Sequence, residues 1–236
     1  MMPLIKSYLD LCRVSNLPTV WTNVLAAVVL SNTPFSWSSF LILSLTHTFF
    51  YTGGMCLNDL CDITQDRVHK PFRPLPSQKI SIRNATLFIG VLFGLALFSL
   101  LFVPHPRAFY LGLILLVFII TYDWFHKGHP FTVFLMAACR LMVFVISGMA
   151  ISGKVGMAVW IGGFIQFIYI LILSLVARYE NSLKEGFSFP VIPMMIASIS
   201  ILDGIMMVGF VSSFWLLAGM SGAVLTHLGQ RYVRGD

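Results

Sequence analysis

Charge is what this chain has least of. Of 236 residues only 10% are charged, and only nine are acidic. Soluble domains carry about 25% charged residues, so an ordinary water-solvated surface is excluded. Cysteine is also sparse: Cys12, Cys56, Cys61 and Cys139 show neither metal-type spacing nor the density of a secreted disulfide scaffold. They read as free, mostly buried thiols. What is abundant is apolar: 58% of the residues are hydrophobic, and the mean hydropathy is +0.88. Repeated apolar stretches approach the roughly 20 residues that cross a bilayer, which predicts a polytopic membrane protein with no separate soluble domain.

Polar, proline and glycine clusters divide the chain into eight expected helices. They fall near 16–31, 37–58, 83–103, 107–125, 130–150, 156–177, 189–211 and 213–231. The first apolar run follows Lys6 and Arg13 and could be mistaken for a signal peptide. No small-x-small cleavage site ends it, and more spans follow, so it reads as a retained helix. Lys and Arg concentrate in cytoplasmic loops of membrane proteins. With the N-terminus inside, twelve of them fall in internal segments and only Arg107 and Lys154 in external loops, while Arg140 lies within a span. Eight helices with both termini cytoplasmic satisfy that asymmetry. The net charge of +6 is thereby accounted for by topology, and no nucleic-acid partner is expected.

Against this scarcity of acids, "NDLCDITQD" at 58–66 holds three of the nine. Continued as helix, Asn58, Asp59, Asp62 and Asp66 fall within about 100° of arc over two turns. Like charges crowded at a bilayer edge repel and are poorly solvated. A divalent cation removes both costs, and Mg²⁺ is commonly shared between one or two carboxylates and substrate phosphates. The cluster therefore points to a Mg²⁺–phosphate site, beside the bland alternative of a solvated acidic cap. Three polar loops, 58–82, 122–130 and 178–188, share the cytoplasmic side in this topology and would place the active site near that face.

"NDLCDITQD" resembles the N-D-x-x-D-x-x-x-D signature of the UbiA superfamily of intramembrane prenyltransferases. The continuation "HKPFRPLPSQKIS" is similar to that family's K-x-x-R-P-L-P-S-G-x-I-S, with Gln78 in place of Gly. "CRVSN", with Arg13 and Asn16, resembles the R-x-x-N before the family's first helix. "TYDWFHK" is similar to its Y-x-x-x-x-K segment, and "AACRLMVFVISG" to its C-R-G-L-N-x-x-x-G helix. The resemblance implies one all-α integral-membrane domain over residues 1–236, a bundle whose central cavity opens to the bilayer. It implies a Mg²⁺-dependent transferase that ionises a prenyl diphosphate and passes the prenyl group to a small-molecule or lipid acceptor. By the same resemblance Asn58, Asp62 and Asp66, with Asp59 as helper, hold a metal, and Asp62, Asp66, Tyr122 and Lys127 carry the chemistry. Arg13, Asn16, Lys70, Arg73, Lys127, Arg140 and Arg178 would bind the diphosphate.

The chain departs from the pattern in three places. The family has a second aspartate-rich stretch where this sequence has "LVARYENSLKEG"; Glu180 is the expected second metal ligand, with Asn181 and Glu185 or the intramembrane Asp203 as alternatives. "LMV" replaces G-L-N at 141–143. Eight spans stand where the family has nine. A terpene cyclase on the same scaffold, or a lipid-diphosphate carrier that does not ionise its ligand, are the competing readings. Asp123, His126 and His129 imitate metal spacing, but Gly128 interrupts them and no metal site is expected there.

Overall fold

Long apolar helices with few internal breakers leave no backbone group unpaired in a bilayer, which is why helices are the economical spanning form. The computed structural model describes residues 2–125, 131–182, 187 and 189–233, and among these it is all helical. In chain order come α1 (Met2–Leu11), α2 (Leu17–Leu30), α3 (Trp37–His69), α4 (Ile82–Ser99), α5 (Ala108–Phe125) and α6 (Thr132–Ser152). They are followed by α7 (Met157–Ser182), α8 (Val191–Phe210) and α9 (Leu216–Gln230). Helices α2–α9 are the eight expected ones; α1 was not expected. Six helices among the described residues are long and apolar enough to cross a membrane. The other two, α2 and α9, are shorter, at 14 and 15 residues.

Local chemistry sets the boundaries. Ser36 and Ser81 cap α3 and α4 by accepting from the backbone N–H of Ser39 and Asn84. Gly153, with φ of 71°, closes α6 in the left-handed conformation that glycine adopts cheaply. Helix α3 runs 33 residues and stops only at Lys70, where "PFRPLP" removes backbone donors. It therefore carries the whole "NDLCDITQD" stretch as helix. Just beyond, Gln78 takes φ of 59°, so the position at which the family pattern has Gly is one that favours Gly.

Helix α2 is the hub. It packs against α3, α6, α8 and α9 and is buried on nearly every side, which explains how a short span is tolerated. Outward faces are apolar instead: Leu87, Val91 and Phe98 on α4 and Leu217, Val224 and Leu228 on α9 are exposed. In water that pattern would be a sticky surface; against lipid it is the ordinary solvent-facing side. Three clusters of buried side chains fill the interior, the largest joining α3, α4, α5 and α6 around Phe50, Phe93 and Leu100.

Candidate active site

Between α2, α3, α5, α6, α7 and α8 lies a cavity of about 240 Å³. One end is polar, with Arg13, Asn16, Asn58, Tyr122 and Asp123 in its lining. Arg140, Tyr51 and His47 line it too, and its remaining walls are apolar, with Leu115, Ile119, Val143, Ile170 and Ile199 beside Phe50, Met55 and Met136. A polar mouth over an apolar body suits a ligand with a charged head and a hydrocarbon tail.

The long α3 delivers most of the polar groups, and its neighbours divide them. Asn58 turns towards α5, and its Nδ2 donates to Asp123 Oδ1 at 3.1 Å. Asp62 lies one turn further along and, with Asp123, acts electrostatically on Tyr122. Asp59 turns the other way: its Oδ1 accepts from Arg13 Nη2 at 3.0 Å and from Arg73 Nη1 at 3.2 Å. Asp66 is also buried, and its Oδ2 accepts from the same Arg73 nitrogen at 2.7 Å. The four oxygen-bearing residues thus share an arc but serve two sub-sites. Asn58 and Asp62 face α5, whereas Asp59 and Asp66 position arginines.

The cavity arginines are fixed by neighbouring side chains. Arg13 sits in the left-handed conformation at the turn between α1 and α2, which swings its side chain onto Asp59. Arg140 crosses to α2, donating to Thr19 Oγ1 at 2.9 Å, to the Thr19 carbonyl at 3.3 Å and to Asn23 Oδ1. Asn23 in turn donates through Nδ2 to both oxygens of Asp203, at 2.9 and 2.7 Å, and Gln166 Nε2 donates to the same carboxylate at 2.8 Å.

The expected site residues therefore fall into groups. Arg13, Asn16, Asn58, Tyr122 and Arg140 meet at one cavity, and Asp59, Asp66 and Arg73 form an ion network beside it. Asp62, Lys70, Arg178 and Glu180 lie outside the cavity lining, Asp62 one turn beyond Asn58 on α3. Arg178 donates to Thr132 Oγ1 at 3.3 Å, and Glu180 Oε1 accepts from the backbone of Phe187 at 3.3 Å. Lys127, His126, His129, Glu185 and the side chain of Asn181 lie outside the described residues. Sequence reading missed Asp123 as a cavity group, having weighed it only with the two histidines. Its signal was available: one of nine acids, directly after a tyrosine, in a span where a carboxylate is costly.

No group of three or more His, Cys, Asp or Glu side chains among the described residues is arranged to hold an ion by itself. Mg²⁺ does not require one. It keeps several waters and completes its octahedron with substrate phosphates, so the all-oxygen pair Asn58 and Asp62 fits its chemistry.

Comparison with known proteins identifies the family and the fold. The sequence profile described as UbiA prenyltransferase family matches residues 18–230. Digeranylgeranylglyceryl phosphate synthase of Methanococcus aeolicus is 41% identical over 86 residues, 36% of this chain and 31% of that protein. The enzyme of the same name from Methanococcoides burtonii is 34% identical over 135 residues, 53% of this chain and 48% of that one. The chain thus spans about a third to a half of the length of these curated relatives. Among solved structures, digeranylgeranylglyceryl phosphate synthase superposes with a TM-score of 0.67 at 21% identity, covering 98% of this chain and 96% of that one. A UbiA homologue from Archaeoglobus fulgidus, bound to DMAPP and Mg²⁺, gives 0.65 at 18% identity over 96% and 97%. These structural likenesses establish the fold.

Proposed function

Because the chain belongs to the UbiA prenyltransferase family, we propose that it ionises a prenyl diphosphate and transfers the prenyl group to an acceptor. The observation that carries this reading is one cavity on which Arg13, Asn16, Asn58, Tyr122 and Arg140 converge from four segments, above walls that are mostly apolar. The head group lies at the polar end, with its oxygens against Arg13 and Arg140. Asn58 and Asp62 would hold Mg²⁺ there, with Glu180 near the end of α7 as a further carboxylate for the second metal. When bound, Mg²⁺ neutralises the diphosphate and makes pyrophosphate a better leaving group. Asp59 and Asp66 fix Arg13 and Arg73, so that the cations are in place before charge develops and need no reorganisation. Tyr122 offers a phenolic hydrogen bond to the leaving group or its ring face to the allylic cation. The apolar walls take the prenyl tail and keep water from the cation.

An acceptor, rather than cyclisation, is supported by the relatives, whose name describes a prenylated glyceryl phosphate. In this reading both termini and the polar end of the cavity face the cytoplasm.

The test uses purified full-length chain, Mg²⁺ and geranylgeranyl diphosphate, with and without a panel of lipid and phenolic acceptors. Product analysis by mass spectrometry and gas chromatography should show a prenylated acceptor and stoichiometric pyrophosphate. Asp62→Asn should lose roughly 100-fold or more in turnover while melting at an unchanged temperature. A cyclic hydrocarbon formed as the main product from the diphosphate alone would replace this reading with a terpene cyclase.

A further inference from the structure

Prenyl transfer as proposed leaves one cavity carboxylate without a role. Asp123 lies near the end of α5, directly after Tyr122, and lines the cavity while only 3% exposed. A carboxylate in a span is costly, so its place there calls for a partner that needs it. Asn58 is such a partner: its Nδ2 donates to Asp123 Oδ1 at 3.1 Å, across the contact between α3 and α5.

An asparagine side chain carries an NH₂ donor and a carbonyl acceptor at two corners of one planar amide. The corners are nearly the same size, so sterics alone do not choose which of them meets a ligand. Chemistry does. Only the oxygen coordinates a hard cation, whereas the NH₂ corner turns its positive N–H dipoles towards the ion and repels it. An ionised carboxylate accepts hydrogen bonds and donates none, so Asp123 can hold one orientation of the Asn58 amide and not the other. With Nδ2 held at α5, Oδ1 is left as the coordinating corner, and among the described residues it accepts no hydrogen bond. Asp62 stands one turn along α3, so its carboxylate and the Asn58 oxygen are neighbours on one helix face. A mere tie between α3 and α5 would be made at less cost by a neutral amide or hydroxyl, but neither would enforce a direction. Partners that orient a metal ligand without touching the ion are a general feature of metal sites.

We propose that Asp123 is a positioning residue for the head-group site: it locks the Asn58 amide with its oxygen, not its NH₂ group, facing the Mg²⁺ that accompanies the diphosphate. The inference rests on the prenyl-transfer reading above. It adds to that reading a residue from outside the "NDLCDITQD" stretch, on the helix that also carries Tyr122.

The test reads binding without turnover. Full-length protein in nanodiscs is melted over a Mg²⁺ series with geranylgeranyl thiolodiphosphate, in which sulfur replaces the ester oxygen and slows ionisation. Asp123→Asn keeps the size of the side chain but donates as well as accepts, so both orientations of Asn58 become available. The Mg²⁺ concentration at the midpoint of the melting shift should rise roughly ten-fold or more, the usual loss when an outer partner is removed. In an Asn58→Ala background there is no amide to orient, so Asp123→Asn should move that midpoint by less than about two-fold. The exchange variant Asn58→Asp/Asp123→Asn, in which an amide at 123 donates to a carboxylate at 58, should return the midpoint most of the way to wild type. An unchanged midpoint in Asp123→Asn would overturn the proposal. So would an equal rise in both backgrounds, which would make Asp123 a direct ligand or a source of charge alone. Should Asp123→Asn fail to fold, the exchange variant decides: folded with a midpoint near wild type it supports orientation, and folded with a raised midpoint it overturns it. Absence of any Mg²⁺-dependent shift in the wild type would overturn the prenyl-diphosphate reading as well, whereas the other adverse results overturn this inference alone.

Discussion

Asp203 has no solvent exposure in the middle of α8, and both of its oxygens are engaged inside the bundle. A carboxylate within a span is costly, so its presence in "SILDGIMM" marks it from sequence alone as either a ligand or a buried anchor. The choice between those roles depends on a partner 180 positions away. Asn23 Nδ2 holds the carboxylate, and Asn23 Oδ1 accepts from Arg140, so Asp203 positions a cavity arginine through an amide. Gln166 adds a third hydrogen bond from α7. We expect Asp203→Asn to lower stability by about 1–3 kcal/mol, since an amide in that place sets donor against donor. The Mg²⁺ concentration for half-maximal activity should not move, whereas in Asp62→Asn it should rise. Melting curves and Mg²⁺ titrations of both variants decide this. A shifted Mg²⁺ requirement in Asp203→Asn alone would make Asp203 the metal ligand. Sequence marked Asn58, Asp62 and Asp66 by rarity and spacing, and helical rotation placed them correctly on one arc. It could not say that Arg73 would claim Asp59 and Asp66, because that depends on how the "PFRPLP" loop folds back over α3.

At the scale of elements, the close pair is α8 and α9. A methyl group added at Gly219 would stand 2.5 Å from the Ser200 carbonyl oxygen and 2.8 Å from the Gly204 Cα, both backbone atoms that cannot turn aside. Without a hydrophobic drive between helices in lipid, such close approach through small residues is what holds them together. Gly219→Ala should therefore push α9 outwards and cost about 1–3 kcal/mol. Gly209, on the same α8 with open space around its Cα, is the control: alanine there should be neutral or stabilising by up to about 1 kcal/mol. Hydrogen exchange in α9 and thermal melts would show the contrast, and equal behaviour of the two variants would contradict it. Helix positions were legible because hydropathy and breakers alternate clearly, down to the weak seam "GFVSSFW", where α8 ends at Phe210 and α9 begins at Leu216. Helix α1 was not, because ten residues with Lys6 and Asp10 among them give no span-length signal. Its function is carried by one face, and only the packed structure tells which.

The whole molecule has two chemically different ends. Lys6 and Asp10 near the N-terminus, Arg73 after α3 and Arg231 after α9 line a single cavity, so the start, the first polar loop and the finish of the chain share one side. At the other side the turn after α4 meets the end of α6, where His105 donates its N–H to the Ala150 carbonyl at 3.0 Å. There too Phe35, after α2, packs against Trp215, before α9, with ring centroids 6.4 Å apart. Among the described residues, the loop after α3 thus shares one side with the segments before α2 and after α9, and this observation is independent of the charge count. Lysine and arginine resist transfer across the membrane, so we propose that the end where Lys6, Arg73 and Arg231 meet faces the cytoplasm and that Arg107 and Lys154 face outside. We expect Lys154→Cys, in a background without the four native cysteines, to react with an impermeant maleimide added to sealed cells. Lys79→Cys, equally exposed in the structure but at the basic end, should react only after the cells are opened. Because each substitution removes one charge of many, neither should itself reverse the insertion. Labelling of position 79 from outside, with position 154 protected, would invert the molecule and place the polar mouth of the cavity on the far side from the cytoplasm.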